Sequence, residues 1–140
     1  MQIACPHCHT QNRIDDERIA DNPTCGACHK PVFAGAPVAV TAEQFAVLNK
    51  QLKHPLVVDC WATWCGPCQA FAPAFASAAE HFAGKATFVK VDTDQEQALA
   101  NSLRIRSIPT LLVFERGQEQ VRQSGAMSSG QFKAWLSDFF

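Results

Sequence analysis

Seven cysteines occur among 140 residues, and six of them share one spacing. Cys5 with Cys8, Cys25 with Cys28, and Cys65 with Cys68 each form Cys-x-x-Cys, while Cys60 stands alone. Where thiols are kept reduced, paired cysteines point to metal or redox chemistry, and an odd total argues against a plain disulfide framework. Sixteen residues separate the first two pairs, a spacing that suits one tetrahedral zinc ion held by Cys5, Cys8, Cys25 and Cys28. Each pair presents two thiolates to one ion, so four cysteines fill the shell and the site is structural rather than catalytic. His7, His9 and His29 are alternative ligands, each out of step with the paired spacing. Metal-free disulfides are a further alternative. The surrounding segment sets Arg13, Arg18 and Lys30 against Asp15, Asp16, Glu17 and Asp21. Four thiolates and one Zn²⁺ make it more negative still, which disfavours a phosphate-binding ribbon.

The third pair sits differently. Trp64-Cys65-Gly66-Pro67-Cys68 lies where an apolar run hands over to a helical pattern. The first turn of a helix offers unpaired N–H groups and the positive end of the macrodipole, and both favour a thiolate over a thiol. Cys65 is therefore expected to be ionised and open to solvent. Cys68 follows one turn later on the same face, close enough for a disulfide. One sulfur can then attack a substrate disulfide and the other can resolve the mixed disulfide. Gly66 leaves room for a partner's backbone, and Pro67 suits a first turn that needs no N–H. The competing reading is an inert pair or half of a metal site.

The elements that must hold these residues follow from periodicity. Residues 1–32 hold few large apolar side chains and need a staple such as zinc. Residues 33–37 read as a connector, punctuated by Gly35 and Pro37. From residue 38 to 140 strand and helix patterns alternate in the order β-α-β-α-β-α-β-β-α. The expected strands are Val38 to Val40, Leu56 to Trp61, Ala86 to Val91, Thr110 to Glu115 and Glu119 to Gln123, the last two forming a hairpin around Arg116-Gly117-Gln118. Thr41 with Gln44, Thr93 with Glu96, and Ser128 with Gln131 have capping-box spacing. A helix beginning near Cys65 shows Phe71, Phe75, Ala78 and Phe82 on one stripe, with Pro73 as a kink and Gly84 as a stop. This pattern predicts an α/β fold: a central mixed β-sheet flanked by helices, preceded by the small four-cysteine module. Twelve basic against 13 acidic residues give a net charge of −1, and no electrostatic reason to expect nucleic acid or an anionic membrane as partner. No apolar stretch approaches the ~18 residues of a membrane span. The first residues carry neither a basic nor an apolar secretory region, so a cytoplasmic location is expected.

Val57-Val-Asp-Cys-Trp-Ala-Thr-Trp-Cys-Gly-Pro-Cys68 closely resembles the active-site stretch of thioredoxins, and Arg106-Ser-Ile-Pro-Thr-Leu-Leu-Val-Phe114 resembles the family's cis-proline segment. With the cysteine-rich extension, the whole is similar to the zinc-binding branch of bacterial thioredoxins. The resemblance implies a thioredoxin fold and roles for further residues. Asp59 becomes the proton acceptor for Cys68, and Lys90 modulates Asp59; a lysine snorkelling at the sheet edge is the plainer alternative. Pro109 becomes the cis-proline beside the cysteines, with the backbone of Ile108 pairing with the substrate chain. Gly125 and Ala126 line the substrate groove, Trp64 forms its rim, and Trp61 supports the site from beneath. The sequence departs from the family at Cys60, where Phe is usual and a small buried apolar side chain is the plain reading, and at Gln69, where a basic residue is common.

The implied activity is reduction of disulfides in cytosolic client proteins, with electrons from NADPH delivered by thioredoxin reductase. No G-x-G-x-x-G fingerprint occurs, so neither nicotinamide nor flavin is expected to bind this chain. The expected partners are the reductase and disulfide-bearing clients, and the chain is expected to be a monomer. Two alternatives stand beside this: a disulfide isomerase or oxidase, and an adaptor that recruits partners through the zinc module. Cys5-Pro-His-Cys8 has the sequence found at the active site of strongly oxidising thiol oxidases. However, no strand is evident before it and no amphipathic helix after it. The clustered thiolates are also candidates for oxidation by peroxide, with loss of the metal.

Overall fold

The computed structural model describes residues 1–33 and 35–140. In chain order its elements are β1 (Gln2–Ala4), β2 (Gln11–Arg13), a 3-10 helix (Asp16–Asp21), β3 (Val38–Ala39), α1 (Ala42–Gln51), β4 (Leu56–Trp61), α2 (Gly66–His81), β5 (Thr87–Asp92), α3 (Gln97–Ser102), β6 (Thr110–Glu115), β7 (Gln118–Ser124) and α4 (Ser129–Ser137). From β3 onward the order is the one the periodicity predicts. The five-stranded sheet runs β3-β5-β4-β6-β7. β3, β5 and β4 are parallel, and β6 and β7 are antiparallel to their neighbours, so the sheet is mixed.

β4 lies at the centre, between β5 and β6, and its apolar run is buried on both faces, as parallel strands covered by helices must be. Alternation then sorts its side chains. Val58 and Cys60 join Val89, Val91, Leu112 and Phe114 in one core layer with Phe45 and Leu48 of α1. Val57 points the other way, into a layer with Phe88, Leu111 and Val113, closed by Phe71 and Phe75 of α2 and Phe132 and Leu136 of α4. Phe71 and Phe132 meet edge to face at 5.0 Å, a favoured aromatic geometry. By the same parity Asp59 lies on the α2 side of the sheet, beneath the helix that starts at the third cysteine pair.

Capping chemistry sets two helix starts as expected. Thr41 and Gln44 form a reciprocal capping box on α1, and Ser128 and Gln131 do so on α4. The box expected from Thr93 and Glu96 does not form. The Thr93 hydroxyl donates to the Trp61 carbonyl at 3.1 Å, and the Glu96 carboxylate accepts from the N–H of Ala42 at 2.7 Å. Both groups therefore serve tertiary contacts, and Asp92 instead receives the N–H groups of Asp94 and Gln95. The β6–β7 turn is tighter than expected. Arg116 and Gly117 both have positive φ, 51° and 81°, which is a two-residue type I′ turn, so β7 begins at Gln118.

The N-terminal segment is not tethered loosely. β1 and β2 form an antiparallel hairpin, and Ile3, Ala4, Ile14, Val32 and Phe33 are buried in the same core layer as Leu48, Leu52 and Leu56. A strand does precede Cys5, contrary to expectation, because three residues are too few to show a period. The chain then turns back into β2 rather than into a helix, which keeps this pair unlike the third. Phe33, at the head of the expected connector, is an anchor, with its ring 6.1 Å from that of His54. Ala34, in the middle of that connector, lies outside the described residues. Ile19 packs onto Gly84, which adopts φ +84°. These contacts gather where β4 and β5 begin and α2 ends, whereas Cys65 lies where β4 ends and α2 begins. Six strand residues place the two ends about 20 Å apart.

Candidate active site and metal centre

Cys65 ends the β4–α2 connection as the cap of α2, with extended backbone (φ −84°, ψ 109°). Its Sγ accepts the N–H of Cys68 at 3.2 Å, one of the donors a helix start leaves unpaired. Cys65 and Cys68 are joined as a disulfide with Cα atoms 5.2 Å apart. Here the structure corrects an expectation. Cys65 is 4% exposed and Cys68 2% exposed, so the sulfurs are nearly covered rather than open. Each covers part of the other, and Ala62, Trp61 and Ile108 pack around them. The bond still lies at the molecular surface, because Thr63, Trp64, Gly66, Pro67 and Gln69 on either side are exposed.

The Ile108–Pro109 peptide is cis, an isomer that X-Pro bonds adopt far more readily than others. It brings the Ile108 carbonyl oxygen to 3.8 Å from Cys65 Sγ. The Pro109 carbonyl accepts the N–H of Gly125 at 2.8 Å, and Gly125 has φ +94°, so the Gly125–Ala126 loop is tied beside the cis bond. Trp64 is 69% exposed, yet its indole N–H donates to Asp94 Oδ2 at 2.7 Å. Asp94 carries no sequence signal of this role, since nothing in its spacing points to a partner 30 residues away. Gln69 donates from its amide to the Thr63 carbonyl at 2.6 Å and so braces the same loop.

Asp59 is 0% exposed, and both its carboxylate oxygens lack a hydrogen-bond partner among the described residues. Burial pushes its carboxyl up to about 6, and the Lys90 charge offsets part of that rise. Asp59 and Lys90 are register partners on adjacent parallel strands. The Lys90 ammonium lies over the Trp61 ring, 4.4 Å from its centroid, a cation–π contact. Cys60 is buried, and burial first, then the Asp59 charge, pushes its thiol up to about 12. A thiol so reluctant to ionise is a poor nucleophile.

The four N-terminal sulfurs lie within 4.8 Å of one another. Cys5 and Cys28 sulfurs are 3.7 Å apart, and those of Cys8 and Cys25 are 3.5 Å apart. A zinc–sulfur bond of about 2.3 Å in a tetrahedron sets sulfurs about 3.8 Å apart, so the set fits that ion. The two turns are built alike. In the first, the N–H of Cys5 donates to Thr10 O and that of His9 to Cys5 O, both at 2.9 Å. In the second, Cys25 donates to Lys30 O at 2.8 Å and His29 to Cys25 O at 2.9 Å. His9 and His29 occupy the same left-handed position (φ 67° and 63°). Among the described residues the ligand cluster contains cysteines alone, so His7, His9 and His29 stand outside it.

A family model described as Thioredoxin matches residues 36–138. The chain belongs to the thioredoxin family. A second model, a zinc ribbon described as Thioredoxin 2, N-terminal, matches residues 4–30 of this thioredoxin. Thioredoxin C-3 of Corynebacterium nephridii is 35% identical over 136 residues, covering 97% of this chain and 93% of that protein. The thioredoxin of Haemophilus influenzae is 41% identical over 91 residues, 65% of this chain and 83% of that protein. Among solved structures, a mutant thioredoxin from Halobacterium salinarum is 27% identical, with TM-score 0.68 over 75% of this chain and 91% of that one. Chloroplastic thioredoxin z is 30% identical, with TM-score 0.69 over 74% and 94%. The thioredoxin fold is thus established, thiol–disulfide oxidoreduction is the general activity that goes with it, and the ribbon supplies a metal-binding cysteine cluster. Among the described residues, no helix is long and apolar enough to cross a membrane.

Proposed function

We propose that this thioredoxin reduces disulfides in client proteins of the cytoplasm. The observation that carries the reading is the Cys65–Cys68 pair at the start of α2, set beside cis Pro109, with the buried Asp59, which has no hydrogen-bond partner among the described residues, on the same side of the sheet as α2. In the dithiol form, the Cys65 thiolate attacks one sulfur of the client disulfide. A mixed disulfide forms, and the other client sulfur leaves as a thiolate. Asp59 takes the proton from Cys68, directly or through water, and the Cys68 sulfur attacks Cys65 Sγ. The second client sulfur leaves, and two electrons have passed to the client while Cys65–Cys68 has closed. A carboxyl titrating at about 6 is matched to proton transfer near neutral pH. Lys90 modulates it from the neighbouring strand.

Trp64, Ile108, Pro109, Gly125 and Ala126 receive the client chain, with the backbone of Ile108 pairing with it. Gly66 leaves that chain room, and Pro67 stiffens the turn. Recycling falls to a thioredoxin reductase that draws on NADPH. Cys5, Cys8, Cys25 and Cys28 would hold one zinc ion; four protein ligands leave no open position, so it would supply folding energy to the ribbon rather than catalysis. Residues 1–32 are the ribbon, 33–37 its connector and 38–140 the catalytic domain.

The test is NADPH-coupled reduction of insulin with thioredoxin reductase present, comparing wild type with Cys65→Ser and measuring metal content on the same samples. Turnover confined to wild type is expected. Turnover that survives Cys65→Ser, or an equilibrium potential far more oxidising than the glutathione poise, overturns the reading.

A further inference from the structure

Asn12, on β2, is positioned between the two cysteine turns and has polar contacts with both. Its amide nitrogen donates to the Thr10 carbonyl at 2.9 Å and to Cys25 Sγ at 3.5 Å. Its amide oxygen accepts the N–H of Gly26 at 3.0 Å. Thr10 closes the first turn, where its carbonyl also receives the N–H of Cys5. Cys25 and Gly26 open the second. The partners fix the orientation of the amide. Reversed, its oxygen would face the Thr10 carbonyl and its NH₂ would face the Gly26 N–H, so two hydrogen bonds would become two repulsions.

Backbone donors to these sulfurs among the described residues are local to a single turn: the N–H of His7, for example, reaches Cys5 Sγ at 3.4 Å, and that of Ala27 reaches Cys25 Sγ at 3.3 Å. Asn12 differs in joining one turn to the other. Four thiolates around a dication leave a net charge of about −2, so an N–H aimed at a sulfur stabilises the loaded cluster and draws electron density from that sulfur.

We propose that Asn12 is the positioning residue of the metal centre: it braces the second cysteine turn against the first and donates to the Cys25 sulfur, and so strengthens the hold on the ion. The inference rests on the zinc reading of the cluster. Two variants separate its parts. Asn12→Ala removes brace and donor together. Asn12→Asp keeps an acceptor for Gly26 but sets an oxygen where the nitrogen stands, against both the Thr10 carbonyl and the sulfur.

The experiment uses the full chain. Zinc affinity is measured by competition with a chromophoric chelator, and the sulfur-to-cobalt charge-transfer band is read after Co²⁺ replacement. Wild type is expected to bind one equivalent. Asn12→Ala is expected to bind 10–100-fold more weakly, the usual effect of losing an outer-sphere partner. Asn12→Asp should be weakened at least as much, with the cobalt band displaced in both variants, a signature that a general loss of stability would not move. Affinity of Asn12→Ala within about threefold of wild type, wild-type affinity in Asn12→Asp, or an unmoved band overturns the proposal. Failure of wild type itself to take up one equivalent overturns the zinc reading instead, which keeps the two apart. Should Asn12→Ala not fold, Asn12→Ser takes its place with the same expected and overturning results.

Discussion

Replacing Asp59 with Asn should stabilise the oxidised protein at neutral pH while slowing its chemistry. In the unfolded chain this carboxyl titrates near 3.8; in the fold it titrates at about 6, because burial penalises the anion. The folded state therefore holds the proton more tightly, and ionising Asp59 works against folding. Below pH 3.8 the group costs nothing. Between 3.8 and 6 the cost grows, and above 6 it is complete. At about 1.4 kcal/mol per pH unit, that interval amounts to about 3 kcal/mol. Asn has nearly the same shape and no charge, so it escapes the cost. Spread over 140 residues, about 3 kcal/mol corresponds to a melting temperature about 10 °C higher at pH 8. The assay is urea unfolding of the oxidised proteins between pH 4 and 8, followed by tryptophan fluorescence. The variant's advantage should shrink toward zero as the pH falls through 6 to 4. In the reduced protein, single-turnover release of client should slow, because the variant lacks the proton acceptor proposed for Cys68. A stability difference that stays constant across that pH range, or that favours wild type at pH 8, would refute the view of Asp59 as a strained buried acid.

Lys90→Met removes the charge that partly offsets the burial of Asp59; the carboxyl should titrate higher still, seen as an alkaline shift in the pH–rate profile. Cys68→Ser should accumulate a mixed disulfide between Cys65 and its client, visible on non-reducing gels, whereas Cys65→Ser should accumulate none. Gly84→Ala meets two obstacles: φ of +84° and a Cβ only 2.5 Å from Cγ2 of Ile19. Together they should cost about 2–4 kcal/mol in thermal unfolding, and adding Ile19→Ala should recover the steric share but not the backbone share. Removing the metal with a chelator should increase dye binding to exposed apolar surface and protease cleavage before residue 33. Insulin reduction should stay within about twofold, since the Cys65 end of β4 lies about 20 Å away.

Much of the catalytic half was legible because its signals are local. The double-faced apolar run of β4, the capping boxes at Thr41 and Ser128, and a Cys-x-x-Cys at a strand-to-helix junction each follow from spacing. What spacing could not reveal depends on residues far apart in the chain. Thr93 and Glu96 have the right interval for a capping box, but each finds a better partner elsewhere. Asp94 meets Trp64 through a fold-level juxtaposition, and the near-complete cover over Cys65 comes from Ile108 and the bonded sulfur. At the N-terminus the residue types pointed to metal, yet not to how the ribbon sits. Ile3, Ile14 and Phe33 are too sparse to advertise a core, because the surface they bury against belongs to the rest of the chain. Asn12 carries no motif of its own; its importance lies in reaching two turns at once.

The seat of the ribbon, at the end of the sheet where β4 and β5 start, separates two ways in which the protein could fail. Damage at the cysteine turns should leave the exchange chemistry intact but uncover Leu48, Leu52 and Leu56, which pack against the ribbon. In a cell, such damage would surface as shortened lifetime and poorer yield rather than as slower turnover. An assay of specific activity alone would miss it, and a measurement of how much protein survives would find it.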